Sequence, residues 1–351
     1  MRGGQRAAGN SLHVGFTEDK VCTEARQRRP MSLVWPTDHN SQRNHKGADM
    51  NAVHMAKVVR LRISTTRWTP HIVAGSILLI CASGLAAHDF WLVPDAFAVT
   101  PGGRITLRGQ TSSLFPTSLS AVTPDRIVEA RVVTANSSVS LQNVSVLGSS
   151  LRLTHRAVSV GQHLIGVQLA PRNVRESPAS FRRYLDLEGA PEARQRFEQE
   201  GLLPAAGGDS ITRRYAKYSK TVVEVGKGAR AFERTLGHPL EFVPLSDPSS
   251  LRVGDTLRMQ LLLLGKPATL AKLHAGAVAA GATAVSDTIT ARRAAARDAT
   301  IETDRNGQAS IVIDRAGLWN IRTLQIVPAT KGTGADWDVH WATFVFSVAK
   351  R

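Results

Sequence analysis

The chain has 351 residues, of which 42% are hydrophobic, and its formal net charge at pH 7 is +16. This composition excludes a wholly disordered chain, and the length is enough for about two domains with substantial cores. The positive charge is dispersed, with a net of +7 in 1–87 and +9 in 88–351. It lacks the dense basic stripe interleaved with aromatic side chains that is typical of nucleic-acid binding, so we expect no nucleic-acid partner.

Residues 1–56 are polar and show no apolar periodicity. Internal methionines stand at Met50 and Met55, and the simplest hypothesis is that translation begins at one of them. We therefore interpret 1–56 as a non-native or disordered N-terminal extension and leave it out of the fold prediction.

Residues 57–87 have the three-part layout of a secretory signal peptide. Four Lys and Arg residues lie in 57–67, the apolar run 72–81 follows, and small residues lead up to Ala87. The apolar run is short for a stable membrane span, so we expect cleavage and export to the periplasm or beyond. An uncleaved anchor is the alternative. We expect membrane contact only through this segment, before cleavage.

The chain has two cysteines, Cys22 and Cys81, and both precede the expected cut. The exported chain would then have no disulfide, no thiolate metal site and no cysteine nucleophile. Any metal ion would be held by nitrogen and oxygen ligands.

The segment 88–225 predicts a first β-sandwich. Short apolar or alternating runs are separated by Gly, Pro and Asn turn signals, as in an all-β domain. The predicted strands include 104–108, 127–133, 139–147, 151–154 and 164–169.

Residues 177–220 break this rhythm and predict a helical insertion. Apolar side chains recur there three or four residues apart, as on one face of a helix. The predicted helices are one starting at Ser177-Pro178 with Phe181, Tyr184 and Leu185 on its face, one over 191–200, and one over 211–220 with Ile211, Tyr215 and Tyr218. We expect this aromatic stripe to dock onto the sandwich; a ligand site is the alternative.

The segment 226–351 predicts a second β-sandwich, with strands over 240–245, 256–264, 310–313, 318–326 and 341–348. The predicted fold is thus mostly β, with two immunoglobulin-like modules and a helical insertion in the first.

A series of short motifs carries a resemblance to a known family. They are HDFWLVP at 88–94, LFPTS at 114–118, RYAKYSK at 214–220, HPLEFVPLSDP at 238–248, GKPA at 265–268, TDRNGQA at 303–309, AGLWNIR at 316–322 and DWDVHWATFVF at 336–346. In this order they resemble the secreted bacterial family called domain of unknown function 4198, once described as NikM-like periplasmic components of nickel or cobalt transport.

The resemblance spans 88–348 and implies export and paired β-sandwich modules, the second similar to the carboxypeptidase regulatory-like domain. It also implies a divalent metal as cargo and a membrane transporter as partner. One departure stands out: many relatives have a His ahead of the Phe-Pro pair, where this chain has Gln110.

The best candidate metal ligand is His88. Cleavage after Ala87 would make His88 the first residue, so that its α-amine and its imidazole could chelate one metal ion. Cleavage after Ala86 is the alternative; His88 would then be the second residue, and chelation would remain possible with a different geometry. Nitrogen ligands of this kind suit copper, nickel and zinc, and cobalt is added by the family resemblance. The neighbouring Asp89 could supply an oxygen. The alternative is that 88–94 is simply the first strand.

A second candidate lies near the carboxyl end, where Asp336, Asp338 and His340 alternate along a predicted strand. Alternate residues share one face of a strand, so these three would form a local cluster of nitrogen and oxygen ligands. The alternative is a solvated edge strand with Trp337 and Trp341 packed on its other face. Two further histidines, His155 and His163, flank a turn that could bring them together.

No catalytic motif is present, neither a zinc-protease, serine-hydrolase, phosphate-loop nor dinucleotide fingerprint, and we do not expect an enzyme. The sequence favours an exported binding protein that captures nickel, cobalt, copper or zinc and passes it to a membrane transporter. The alternative is a non-catalytic adhesion or scaffolding module of the cell envelope that binds protein or glycan.

Overall fold

The computed structural model describes residues 88–188, 191–279, 295 and 297–350. The predicted extension 1–56 and signal peptide 57–87 lie outside the described residues. No helix of the described part is both long and apolar enough to cross a bilayer.

The described chain is mostly β, as predicted. The strands are β1 (Asp89–Pro94), β2 (Ala98–Val99), β3 (Arg104–Ser112), β4 (Ile127–Val133), β5 (Ser138–Ser140), β6 (Asn143–Leu147), β7 (Ser150–Arg156), β8 (Gly161–Leu169), β9 (Arg172–Glu176), β10 (Ile211–Val225), β11 (Leu240–Pro244), β12 (Thr256–Leu263), β13 (Lys266–Pro267), β14 (Lys272–Val278), β15 (Ala299–Glu302), β16 (Gln308–Val312), β17 (Gly317–Pro328) and β18 (Trp337–Val348). The α-helices are α1 (Pro178–Leu187) and α2 (Pro191–Gln199), and a 3-10 turn covers Pro124–Arg126.

These strands form three sheets. The first has the order β1-β3-β7-β6, and the third has β11-β12-β13 with β16 also on β12. The second and largest runs β15-β14-β17-β18-β10-β8-β4-β5, with β2 and β9 also paired to β10. It contains strands from both sides of the predicted boundary at 225/226. That boundary and the immunoglobulin-like character of the modules stay predictions.

The cores lie between the sheets. Side chains of the first sheet, such as Phe90 and Leu107, are buried against Ile165 and Val223 of the largest sheet. The third sheet is buried against the other part of the largest sheet. Since both surfaces of β10 are covered over 216–223, this part of the strand has the continuous burial of an internal strand, whereas 211–215 include half-buried residues.

Two of the three predicted helices are present. The Ser177 hydroxyl accepts a hydrogen bond from the Ser180 amide (3.2 Å) at the start of α1, and Pro178 occupies the first turn. Phe181 and Leu185 are fully buried, as the helical spacing predicted. The third prediction was wrong: residues 211–220 belong to β10. Burial on both faces hides the two-residue period, and the spacing of the tyrosines imitates a helix.

Candidate functional site

Strand β10 positions side chains on two opposite faces of the largest sheet. Successive residues of a strand point to opposite faces, so every second residue shares a face. Arg213, Tyr215 and Lys217 therefore share one face, and Arg214 and Tyr218 share the other. The two sets belong to two separate pockets.

His88 is one of the residues that line the first pocket. Its backbone carbonyl accepts a hydrogen bond from Lys217 Nζ, which fixes the start of β1 against β10. Its imidazole is half-buried and lines a pocket of about 230 Å³. The predicted metal ligand is thus held in place through its backbone while its ring stays accessible.

The surroundings of His88 favour the neutral imidazole. Burial lowers the pKa of His88, the Lys217 ammonium lowers it further, and Asp89 opposes both. A neutral ring has a lone pair available for a metal ion or a hydrogen bond at neutral pH.

The same pocket is rich in cationic side chains, namely Arg126, Arg172, Arg213 and Lys217. Arg213 is neutralised by Glu176 (Nε to Oε1 2.8 Å) and lies over the ring of Tyr184. Within the described part of the chain, Arg126, Arg172 and Lys217 have no carboxylate within 4 Å.

Local pairing explains why these cations converge. Strand β9 is antiparallel to β10, with Arg172 opposite Tyr215 and Val174 opposite Arg213. Directly paired residues share a face, so Arg172 lies beside Tyr215 and near Lys217. Arg126 reaches the pocket from the 3-10 turn, with its Nη2 donating to the Ala170 carbonyl (2.7 Å).

Asp89 does not share this pocket. Its carboxylate is 3.7 Å from Arg322 Nη1, and its Oδ1 atom is buried without a hydrogen-bond partner. Burial raises the pKa of Asp89, against the lowering effect of Arg322 and Lys217. The structure therefore gives no support for Asp89 as a ligand beside the His88 ring.

The three residues of the second predicted cluster have separate partners. The Asp336 carboxylate accepts from the Thr212 amide (2.6 Å). Asp338 receives two hydrogen bonds from Arg214 (2.6 and 2.7 Å). His340 Nδ1 shares a hydrogen bond with the Tyr218 hydroxyl (3.0 Å), and burial lowers the pKa of His340.

The predicted faces of β18 are confirmed, but the edge-strand alternative was wrong. Trp337 and Trp341 are buried on the face opposite Asp338 and His340, and Trp337 contacts Phe181 and Phe197 of the two helices. Strand β18 is internal, because it lies between β10 and β17.

The four predicted metal ligands are not brought together. Asp338 and His340 line a pocket of about 250 Å³ with Arg214 and Tyr218, on the face of β10 opposite His88. Among the described residues, no group of three or more His, Cys, Asp or Glu is placed to hold one ion. Whether any of the four binds a metal stays a prediction.

The prediction that His155 and His163 lie together is confirmed, with ring centroids 5.6 Å apart. They are joined by a connection between two sheets, since β7 and β8 do not pair. His163 Nε2 is 3.0 Å from the Ser159 carbonyl, so this ring nitrogen is engaged.

The sequence analysis missed Lys217, Arg126 and Arg172 as site residues. Lys217 lies within the RYAKYSK motif, which was interpreted as helical. Arg126 and Arg172 carry no local signal, because they reach the pocket only through the pairing of β8 and β9 with their neighbours.

Comparison with protein families gives a match over residues 85–327 to the family described as "Domain of unknown function (DUF4198)". This confirms the resemblance stated from the motifs. No curated protein matches the chain.

Among solved structures, the adhesin InvE of Yersinia pseudotuberculosis is 13% identical, with a TM-score of 0.18, over 76% of this chain and 62% of that one. Trypsin-activated alpha-2-macroglobulin from Escherichia coli is 10% identical, with a TM-score of 0.18, over 75% and 16%. A putative membrane anchored protein from Corynebacterium diphtheriae is 9% identical, with a TM-score of 0.19, over 75% and 60%. The chain thus spans less than two thirds of each of these structures, and the likenesses are distant.

Proposed function

We propose a binding function for this chain, which belongs to the family of domain of unknown function 4198. The protein is exported, is not an enzyme, and captures a divalent transition metal at His88 for transfer to a membrane transporter. Nickel, cobalt, copper and zinc are the candidate ions. The resemblance to NikM-like proteins supports this class of cargo.

The placement of His88 carries the proposal. Its carbonyl is anchored by Lys217, while its half-buried imidazole faces an open pocket. The lowered pKa keeps this ring neutral near pH 7, so a metal ion does not compete with a proton there.

Processing by signal peptidase would complete the site. Cleavage after Ala87 converts the His88 amide into a primary amine, and one ion can then bind that amine and the imidazole. Two nitrogen ligands favour copper most strongly and bind nickel and zinc less tightly. Asp336, Asp338 and His340 are not needed in this arrangement, because each has a protein partner.

The test is calorimetric titration of tag-free protein that begins at His88 with each of the four ions. We expect one ion per chain for at least one metal. His88→Ala should abolish binding, and a single alanine added before His88 should weaken it strongly because the amine is displaced. His155→Ala is the control, since this half-buried histidine lies outside the pocket. Absence of binding by any of the four ions, or full affinity in the extended variant, would refute the proposal.

A second candidate, envelope adhesion or scaffolding, is favoured by one observation. Strands β5 and β6 end their sheets and expose Val139 (44%), Val146 (46%) and Leu147 (60%). Terminal strands offer unpaired backbone groups to another chain. If this is the function, Val146→Lys with Leu147→Lys should abolish retention on envelope protein or glycan while leaving metal affinity unchanged. If the unmodified protein is not retained on envelope protein or glycan, this candidate function is excluded.

A further inference from the structure

We infer that the pocket beside His88 binds a small oxyanion, a carboxylate or a phosphate, between Arg126, Arg172 and Lys217. This deepens the proposed function, because it assigns a second ligand to the same site. It does not depend on the metal, because the cations that define it are separate from the metal-binding atoms.

Charge is the first reason. The thirteen residues that line the pocket include four Arg and Lys and no Asp or Glu. Glu176, outside the lining, neutralises only Arg213. The other three cations face the cavity with no carboxylate within ion-pair distance in the described structure, so a bound anion would balance them.

Unused hydrogen-bond donors are the second reason. Arg126 Nε and Thr111 Oγ1 are buried with no hydrogen-bond partner among the residues that the structure describes, and both residues line the pocket. Lys217 is only 9% exposed, and its ammonium donates to the His88 carbonyl. An ammonium has three donors, so two remain for a ligand. Buried donors without partners destabilise a protein, and an oxyanion is an acceptor that such donors can use.

The walls of the pocket strengthen such binding. Val122, Leu169 and Val174 supply apolar surface to the lining. Charge-assisted hydrogen bonds from guanidinium groups to carboxylate or phosphate are the strongest of their kind, and they gain further where apolar neighbours lower the local dielectric constant. The volume of about 230 Å³ suits an ion of a few to a dozen atoms rather than a polymer.

The anion also bears on metal capture. A divalent ion at His88 is repelled by the neighbouring cations, and a bound oxyanion would remove that repulsion. The two ligands should therefore raise each other's affinity by the same factor, as thermodynamic linkage requires.

The test is titration of metal-free mature protein with inorganic phosphate and, separately, with citrate. We expect saturable binding of at least one of them that weakens with added salt. Arg126→Gln and Arg172→Gln should each reduce the affinity about tenfold or more. Arg175→Gln is the matched control, because Arg175 lies on the same strand as Arg172 and outside the pocket. Preference for citrate would assign a carboxylate ligand, and preference for phosphate an inorganic one.

Failure of this inference and failure of metal capture are distinguishable. No binding of either anion at millimolar concentration, or affinities unchanged in both arginine variants, overturns the anion site whatever the metal does. Anion binding that requires Arg126 and Arg172, in a protein that takes up no metal, supports the anion site and overturns metal capture.

Discussion

Two buried lysines of the same strand have opposite surroundings. Lys220 is 1% exposed and donates to Glu241 (2.6 Å) and to the Phe242 carbonyl (2.8 Å). Lys217, on the other face of β10, donates to the His88 carbonyl and has no carboxylate within 4 Å in the described structure. Removal of one partner from a buried charge pair destabilises the fold, whereas a buried charge with spare donors beside a pocket is a candidate for ligand binding.

We expect the largest loss of stability when the ion pair of Lys220 with Glu241 is removed. Lys220→Met leaves the Glu241 carboxylate buried, with the amides of Leu236 and Gly237 as its remaining donors among the described residues. An uncompensated buried charge costs about 3–5 kcal/mol in free energy of unfolding. Chemical denaturation measures this loss. A loss below about 1 kcal/mol would show that the pair is not structural.

The next effect concerns His238, on the same face as Lys220. Burial is the main cause that lowers the pKa of His238 to about 4, and both ring nitrogens lack hydrogen-bond partners. Between pH 6.5 and about 4 the unfolded chain binds the proton that the folded chain refuses, so stability falls as the pH falls. The contribution is about 3 kcal/mol.

His238→Gln isolates this contribution, because the other histidines whose pKa values are lowered are present in the variant and in the unmodified protein alike. Its unfolding free energy should fall less between pH 7 and pH 4 than that of the unmodified protein. Equal pH dependence in the two proteins would contradict the assignment.

A smaller effect tests the second cluster of predicted ligands. Asp338→Asn removes a charge-assisted pair with Arg214 that is partly open to solvent, and it should cost about 1–2 kcal/mol. Metal affinity at His88 should not change, because Asp338 lies on the opposite face of the sheet. Scanning calorimetry measures the stability of the variant, and titration calorimetry measures its metal affinity. A reduced metal affinity would indicate that Asp338 is a ligand.

The smallest change in stability is expected for the unpaired lysine. Lys217→Met keeps the aliphatic part of the side chain. The variant loses the hydrogen bond to the His88 carbonyl, but it no longer buries a desolvated charge, and these two changes oppose each other. We expect a change below about 1 kcal/mol in unfolding free energy. Phosphate or citrate should raise the melting temperature of the unmodified protein and not that of this variant. A loss equal to that of Lys220→Met would remove the distinction between the two lysines.

Local patterns predicted much of the strand content. The range 127–133 coincides with β4, and Ser177-Pro178 marks the start of α1 because capping is a local interaction. Strand β10 was missed because both of its faces are buried, which removes the alternation that identifies a strand.

The site was harder to predict than the fold. His88 was predicted as a ligand because the predicted cleavage site is adjacent to it in the chain. The separation of His88 from Asp338 and His340 depends on which face of the sheet each side chain occupies. That follows from the pairing of β10 with β18, which cannot be predicted from local sequence patterns. The anion pocket combines residues from the 3-10 turn, β9 and β10, and no single segment contains its pattern.

The central claim is that export exposes His88 as the amino-terminal ligand of a metal ion. The most direct measurement is intact mass together with metal content of protein purified from its native envelope. We expect a chain that begins at His88 and carries one transition metal ion. A chain that retains residues ahead of His88, or a correctly trimmed chain without metal, would contradict it.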